Sequence, residues 1–159
     1  MIRFYSAGAA VLAFASFLAA LTLSGCGPRA VDVASASRTV PLTITSAGKV
    51  HRFSVELART PAEQERGLMF RTAIAADGGM IFPMEPPRAA SFWMKNCPIP
   101  QDWLFIRTDG SIARLVENTV PYSLEPVGVN EPVAAVLEIA GGRAAELGIT
   151  DDAKVAWPR

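Results

Sequence analysis

The sequence predicts a mainly β domain, either a jelly-roll-like β-sandwich or a partly closed barrel, with two short helices. Short apolar-rich runs recur along residues 40–159, and turn-forming glycines and prolines separate them. Only two stretches are typical of helices. About 120 residues can bury one core, so we interpret 40–159 as a single domain.

The first elements are a predicted hairpin and a short helix. Apolar-rich runs at 40–46 and 50–58 flank Ala47-Gly48-Lys49, and the second run alternates apolar and polar side chains as a half-buried strand does. Thr60 can cap the helix that follows, Glu63 completes a capping box, and Gly67 ends it.

The remaining elements follow in chain order, each bounded by its own turn residues. They are a strand at 80–83 that Pro83 assigns to a sheet edge or a strand end, strands at 89–95, 102–107 and 111–117, an irregular segment at 118–132, a central strand covered on both faces at 133–139, one or two helical turns at 141–148, and a last strand at 154–157. Asp109-Gly110 is the strongest hairpin marker among them.

Residues 1–25 have the pattern of a lipoprotein signal peptide. Arg3 precedes a charge-free apolar stretch from Phe4 to Leu23, and Leu23-Ser24-Gly25-Cys26 resembles a bacterial lipobox. The alternative is an uncleaved anchor helix, because about 20 apolar residues can span a bilayer. Cleavage would leave Cys26 as a lipid-modified first residue.

The residues from 26 to 39 are mostly small or polar and include no aromatic side chain, which is typical of a flexible tether. Gly27 stands where an inner-membrane retention signal would have Asp, so we expect attachment to the outer membrane, facing the periplasm. If Cys26 carries lipid, Cys97 has no partner within the chain for a disulfide.

Charge and motif content exclude several classes of protein. The charges of the 15 basic and 15 acidic residues cancel, and the basic residues form no cluster, which argues against nucleic-acid binding. No phosphate-binding glycine loop is present.

A zinc site needs more ligands than His51 and Cys97 can supply. His51 lies on an apolar strand face, so a Cys97–His51 nucleophilic dyad is the weaker interpretation. We expect no metal and no cofactor. The sulfur atoms of Cys97 and four methionines could bind Cu(I), but core packing is the favoured interpretation for Met69, Met80, Met84 and Met94.

Polar candidates for a ligand site lie in three places. Arg66 and Arg71 bracket the predicted helix end, where two guanidiniums could hold an anion or pair with internal acids. Glu138 lies in an apolar strand and, if buried, is expected to have an arginine beside it. Residues 92–103 are the stretch richest in polar and aromatic side chains, and they include Lys95, Asn96 and Asp102. The two indoles of this stretch could stack on a small ligand or could simply belong to the core.

Four motifs in this order resemble the bacterial and archaeal family called domain of unknown function 192. They are Arg66-Gly67-Leu68-Met69-Phe70-Arg71, Asp77-Gly78-Gly79-Met80-Ile81-Phe82, Phe92-Trp93-Met94-Lys95-Asn96, and Ala135-Val136-Leu137-Glu138 with Ala140-Gly141. The resemblance spans about residues 40 to 157 and implies a jelly-roll-like fold but no established reaction. The family usually has Thr at the position of Cys97, Leu at the position of Gln101, and Gly-Asp at the position of Asp152-Ala153. The resemblance carries over six polar positions, which we expect to converge on one pocket at the sheet edge: Arg66, Arg71, Lys95, Asn96, Asp102 and Glu138.

We therefore expect a monomeric, lipid-anchored periplasmic domain that binds a small polar ligand or an envelope glycan and is not an enzyme. One alternative is a hydrolase-like enzyme that uses Asp102 and Glu138, or Cys97, in the same cleft. The other is a purely structural envelope lipoprotein, which predicts paired charges and no concavity.

Overall fold

Seven strands and two short helices make up residues 39–159, the part of the chain that the computed structural model describes. The predicted signal peptide, Cys26 and the tether up to residue 38 lie outside the described residues. The elements are β1 (Thr39–Ser46), β2 (Lys49–Leu57), α1 (Pro61–Arg66), β3 (Met80–Phe92), β4 (Gln101–Ile106), β5 (Ile112–Val116), β6 (Val127–Ala140), α2 (Arg143–Leu147) and β7 (Lys154–Ala156).

The strands form one sheet in the order β5-β4-β6-β3-β2-β1-β7. Neighbouring strands are antiparallel except β2 and β3, which run parallel. Ser111, just before β5 at one edge, forms a β-bridge with Lys154 of β7 at the other edge. The sheet therefore curls on itself, which confirms the mainly β class with two short helices and gives the partly closed barrel.

Apolar side chains cover both faces of this sheet. On β6, Leu137 and Ile139 belong to one buried cluster, and Val136 belongs to the second, with Trp103 and Phe105 of β4. Residues 133–139 are all buried, as the sequence predicted for a central strand. Because side chains alternate between faces along a strand, Glu138 shares the face of Val136.

The prediction that Pro83 marks a sheet edge or a strand end was wrong, because β3 continues past it to Phe92 and lies between β2 and β6. A proline fits there because β2 pairs only with Met80 and Ile81, so the side of Pro83 toward β2 carries no ladder hydrogen bond. Of the strand predicted at 89–95, residues 89–92 form the end of β3, and residues 93–95 lie in the loop after it. Part of the segment predicted to be irregular, from Val127 to Pro132, belongs to β6, because pairing with β3 outweighs its turn-forming residues.

Helix α1 begins as predicted. The Thr60 Oγ1 accepts a hydrogen bond from Glu63 N at 3.2 Å, and the Glu63 carboxylate accepts one from Thr60 N at 2.8 Å. The helix ends at Gly67, which has a φ of 47°. Within residues 39–159, no helix has the length and apolar character needed to cross a membrane.

Candidate functional site

A cavity of about 380 Å³ opens on the face of the sheet that carries Val136 and Trp103. The end of α1, strand β3 and the loop after β3 enclose it, and Glu138 of β6 lies among its lining residues. A neighbouring hollow of about 520 Å³ shares Gln64 and Arg88 with it, but no buried side chain lines that hollow. The first cavity is therefore the better candidate site, because it reaches the core.

Glu138 is the acid of the cavity. Its side chain is only 5 % exposed, and its strand neighbours across the ladder are Met80 and Trp103. We expected an arginine beside this carboxyl, but within residues 39–159 it forms no ion pair or hydrogen bond. Burial instead raises the pKa of Glu138 to about 8, because the charged form loses its hydration. The group is thus largely protonated at neutral pH and can donate a hydrogen bond into the cavity.

Cys97 also lines the cavity and is buried. Burial raises the pKa of the Cys97 thiol to about 11, and the nearby Glu138 charge adds to this. The thiol is therefore protonated at neutral pH and is a poor nucleophile.

Gln101 lies next to this thiol and is itself buried. Its Oε1 accepts a hydrogen bond from Trp103 Nε1 at 2.8 Å, whereas its Nε2 has no hydrogen-bond partner within the described part of the chain. Cys97 and Gln101, two of the positions at which this sequence differs from the pattern expected of the family, are therefore neighbours, and the charge of Glu138 acts on Cys97.

Three cations line the cavity: Arg66, Arg88 and Lys95. All three are exposed, and none forms an ion pair with an acid of residues 39–159. The Nζ of Lys95 lies 5.1 Å from the ring centre of Trp93. Glu65 is the one acid beside Glu138 among the lining residues, so the charge around the cavity is positive when Glu138 is protonated.

Local backbone features place these side chains. Gly67 turns the chain after Arg66, and a Cβ at this glycine would lie 3.3 Å from the Phe82 ring, so the close approach favours glycine. Asn96 adopts a left-handed conformation with φ of 57°, which Asn tolerates better than most residues. Its carbonyl accepts a hydrogen bond from Phe70 N at 2.7 Å and so holds the loop after α1 against the loop after β3.

Asp102 lies in the core, away from the cavity. It is fully buried and accepts hydrogen bonds from three backbone N–H groups, those of Asn118, Gly142 and Ala144, at 2.8 to 2.9 Å. It pairs with Ile139 across the ladder, whereas Trp103 pairs with Glu138, so Asp102 and Glu138 point to opposite faces. Its carboxylate joins β4 to the loop after β5 and to the start of α2.

Arg71 is also outside the cavity. Both of its terminal nitrogens contact the two carboxylate oxygens of Glu56 at 2.7 Å. Arg71 and Glu56 line a separate hollow of about 210 Å³ that Thr39 also borders.

The structure thus brings Arg66, Lys95 and Glu138 around one cavity, places Asn96 in the adjoining turn, and separates Arg71 and Asp102 from them. Trp103 is 1 % exposed and is unavailable for stacking on a ligand. Sequence reasoning missed Arg88, because nothing in its proline-rich surroundings marks it. No group of three or more His, Cys, Asp or Glu residues within 39–159 is placed to hold a metal.

Comparisons with known proteins agree with this fold. The family model for domain of unknown function 192, described as "Uncharacterized ACR", matches residues 42–157. A protein of unknown function from Novosphingobium aromaticivorans DSM 12444 is 45 % identical, with a TM-score of 0.75 over 83 % of this chain and 94 % of that one. A proposed transcription regulator from Sinorhizobium meliloti 1021 is 38 % identical, with a TM-score of 0.72 over 75 % of this chain and 93 % of that one. A search of curated proteins found no match.

Proposed function

Because this chain belongs to the domain of unknown function 192 family, whose description states no activity, we propose its function from the cavity itself: non-catalytic binding of a small polar ligand. One observation carries the proposal. Within residues 39–159, a buried acid that forms no hydrogen bond or ion pair lies in an open cavity, and three cations that also form no ion pair line the same cavity. A purely structural lipoprotein predicts paired charges without a concavity, which is not the arrangement here.

The charges favour a ligand with an anionic group. A carboxylate or phosphate would pair with Arg66, Arg88 or Lys95, whereas an amine would be repelled by them. A hydroxyl or carbonyl of the same ligand could accept a hydrogen bond from protonated Glu138. Acidic sugars of the cell envelope combine these features, so an envelope glycan remains within the proposal.

We also propose that the mature protein is attached to the outer membrane through lipid on Cys26 and faces the periplasm. The supporting observation is the lipobox-like sequence that ends at Cys26 and is followed by mostly small or polar residues up to the first strand. Mass spectrometry of the mature protein tests this. A diacylglyceryl-modified Cys26 as the first residue supports the proposal, and an unmodified Cys26 overturns it.

Calorimetric titration with two matched probes tests the ligand class. N-acetylmuramic acid and N-acetylglucosamine differ by one carboxylate-bearing group, so only the first should bind saturably. Lys95→Ala should weaken this binding by about 10-fold, equivalent to about 1.4 kcal/mol. Arg52→Ala, which removes an exposed cation of β2 that does not line the cavity, is the control and should change nothing.

Two outcomes would overturn the ligand class. One is equal binding of the two sugars. The other is no saturable binding of N-acetylmuramic acid or inorganic phosphate tighter than roughly 10 mM.

The alternative is a hydrolase-like enzyme in the same cavity. Its support is the raised pKa of Glu138, which brings that group near the pH at which a general acid works. Asp102 is not available to such an enzyme, and Cys97 is protonated. Glu138→Gln separates the two functions, because it would abolish turnover of a substrate but would keep a hydrogen-bonding group for a bound ligand.

A further inference from the structure

Exposed apolar side chains are concentrated beside the cavity. Residues 39–159 expose six large apolar side chains, and all except Val50 lie on three neighbouring segments. We call this group the aromatic rim: Phe70, Trp93, Val120, Tyr122 and Leu124.

Backbone hydrogen bonds hold the three segments of the aromatic rim together. They run from Phe70 N to Asn96 O at 2.7 Å, from Tyr122 N to Cys97 O at 3.1 Å, and from Met94 N to Ser123 O at 2.9 Å. The aromatic rim adjoins the cavity, because Trp93 and Cys97 line it. The three segments thus lie together at the edge of the candidate site.

Two members of the aromatic rim, Phe70 and Tyr122, combine an unfavourable backbone conformation with an exposed side chain. Phe70 and Tyr122 have φ values of 65° and 61°, a region that bulky side chains rarely adopt. Their side chains are 68 % and 62 % exposed, so little apolar burial offsets the strained backbone. Such residues are typical of a surface that contacts something outside the domain.

The position at which the chain enters the domain indicates what covers the aromatic rim. Thr39, the first described residue, lines the same hollow as Leu68 and Arg71. Leu68 precedes Phe70 by two residues, and Arg71 directly follows it. Twelve residues, Gly27 to Arg38, separate Cys26 from Thr39. The sequence predicts that these residues are a tether, and a flexible tether of this length would reach ~20 Å on average, so a lipid on Cys26 would keep this end of the domain close to the bilayer.

We propose that the aromatic rim rests on the surface of the bilayer that anchors the protein, so that the cavity opens toward the lipid headgroups. This inference rests on the lipid anchor of the proposed function. Trp and Tyr favour the boundary between headgroups and hydrocarbon, where an apolar ring and a polar group are both accommodated. Lys95, which lies over the Trp93 ring, can extend its ammonium group to lipid phosphates.

Lipid quenching of tryptophan fluorescence tests the contact in the mature, lipidated protein reconstituted into phosphatidylcholine vesicles. Brominated phosphatidylcholine should quench the emission of Trp93, and Trp93→Phe should remove the quenched component while Trp103 and Trp157 remain. A triple variant, Phe70→Ser, Tyr122→Ser and Leu124→Ser, should lose this quenching although its lipid keeps it on the vesicles. Val50→Ser is the matched control, since it removes the exposed apolar side chain outside the aromatic rim and should leave quenching unchanged.

Three measurements separate failure of this inference from failure of the anchor. If Cys26 carries no lipid and the protein does not float with the vesicles, both the lipid anchor and the membrane contact of the aromatic rim are overturned. If the lipidated protein floats but brominated lipid does not quench Trp93, the membrane contact is overturned and the anchor stands. The membrane contact would also be overturned if the wild type self-associates in detergent and the triple variant does not, because a second copy would then cover the aromatic rim. Urea midpoints within error of the wild type establish that the variants are folded.

Discussion

Replacing Glu138 with Gln should change how the stability of the protein depends on pH. Burial raises the pKa of Glu138 from 4.5 to about 8, so the folded chain binds this proton more tightly than the unfolded chain does. The stabilisation is therefore complete below pH 4.5 and is lost as the pH rises through about 8. Each pH unit in this window costs up to about 1.4 kcal/mol, which makes the full loss on the order of 4 to 5 kcal/mol.

Urea unfolding at a series of pH values from 5 to 8 measures this effect. The wild type should lose roughly 3 to 4 kcal/mol over that range relative to Glu138→Gln, whose amide does not titrate. Glu131→Gln is the matched control on the same strand. The ion pair with Arg107 lowers the pKa of Glu131, so this control should follow the wild-type profile above pH 5. Parallel profiles for the wild type and Glu138→Gln would refute the burial argument.

Three further predictions concern groups to which the ligand proposal gives no role. Thr60→Ala removes the acceptor of the hydrogen bond from Glu63 N and should lower the free energy of unfolding by about 1 kcal/mol, whereas an unchanged urea midpoint would show that the cap contributes nothing. In Asp102→Asn, one acceptor oxygen replaces the two that now accept hydrogen bonds from three N–H groups. We therefore expect the free energy of unfolding, measured in urea, to fall by about 2 to 3 kcal/mol, and the affinity for N-acetylmuramic acid to stay unchanged. Weaker binding by the folded Asp102→Asn variant would contradict the separation of Asp102 from the cavity. Cys97, with its pKa raised to about 11, should react with iodoacetamide at pH 8 at least about 100-fold more slowly than a free cysteine, as followed by mass spectrometry of its peptide. Equal rates in the folded and the urea-unfolded protein would disprove this.

Short-range interactions explain which parts of the fold were predictable. The start of α1 follows from Thr60 and Glu63, which are three residues apart, and the turn between β4 and β5 follows from Asp109-Gly110. Pairing between distant segments was less predictable. Strand β3 continues through its prolines, and β6 begins at Val127, because these two strands pair with each other along most of their length.

The residues themselves predicted the mainly β class, showed the resemblance to the family and placed an acid, Glu138, in the predicted central strand. They left open which polar groups meet, because a shift of one residue in strand pairing moves a side chain to the opposite face. Because Trp103 pairs with Glu138, the Glu138 side chain lies on the face that carries the cavity. Because Asp102 pairs with Ile139, the Asp102 side chain lies in the core on the opposite face. Arg88 reaches the same cavity from another strand, 50 residues before Glu138 in the chain. Only the packing of the curled sheet, which depends on contacts between distant segments, could decide these placements.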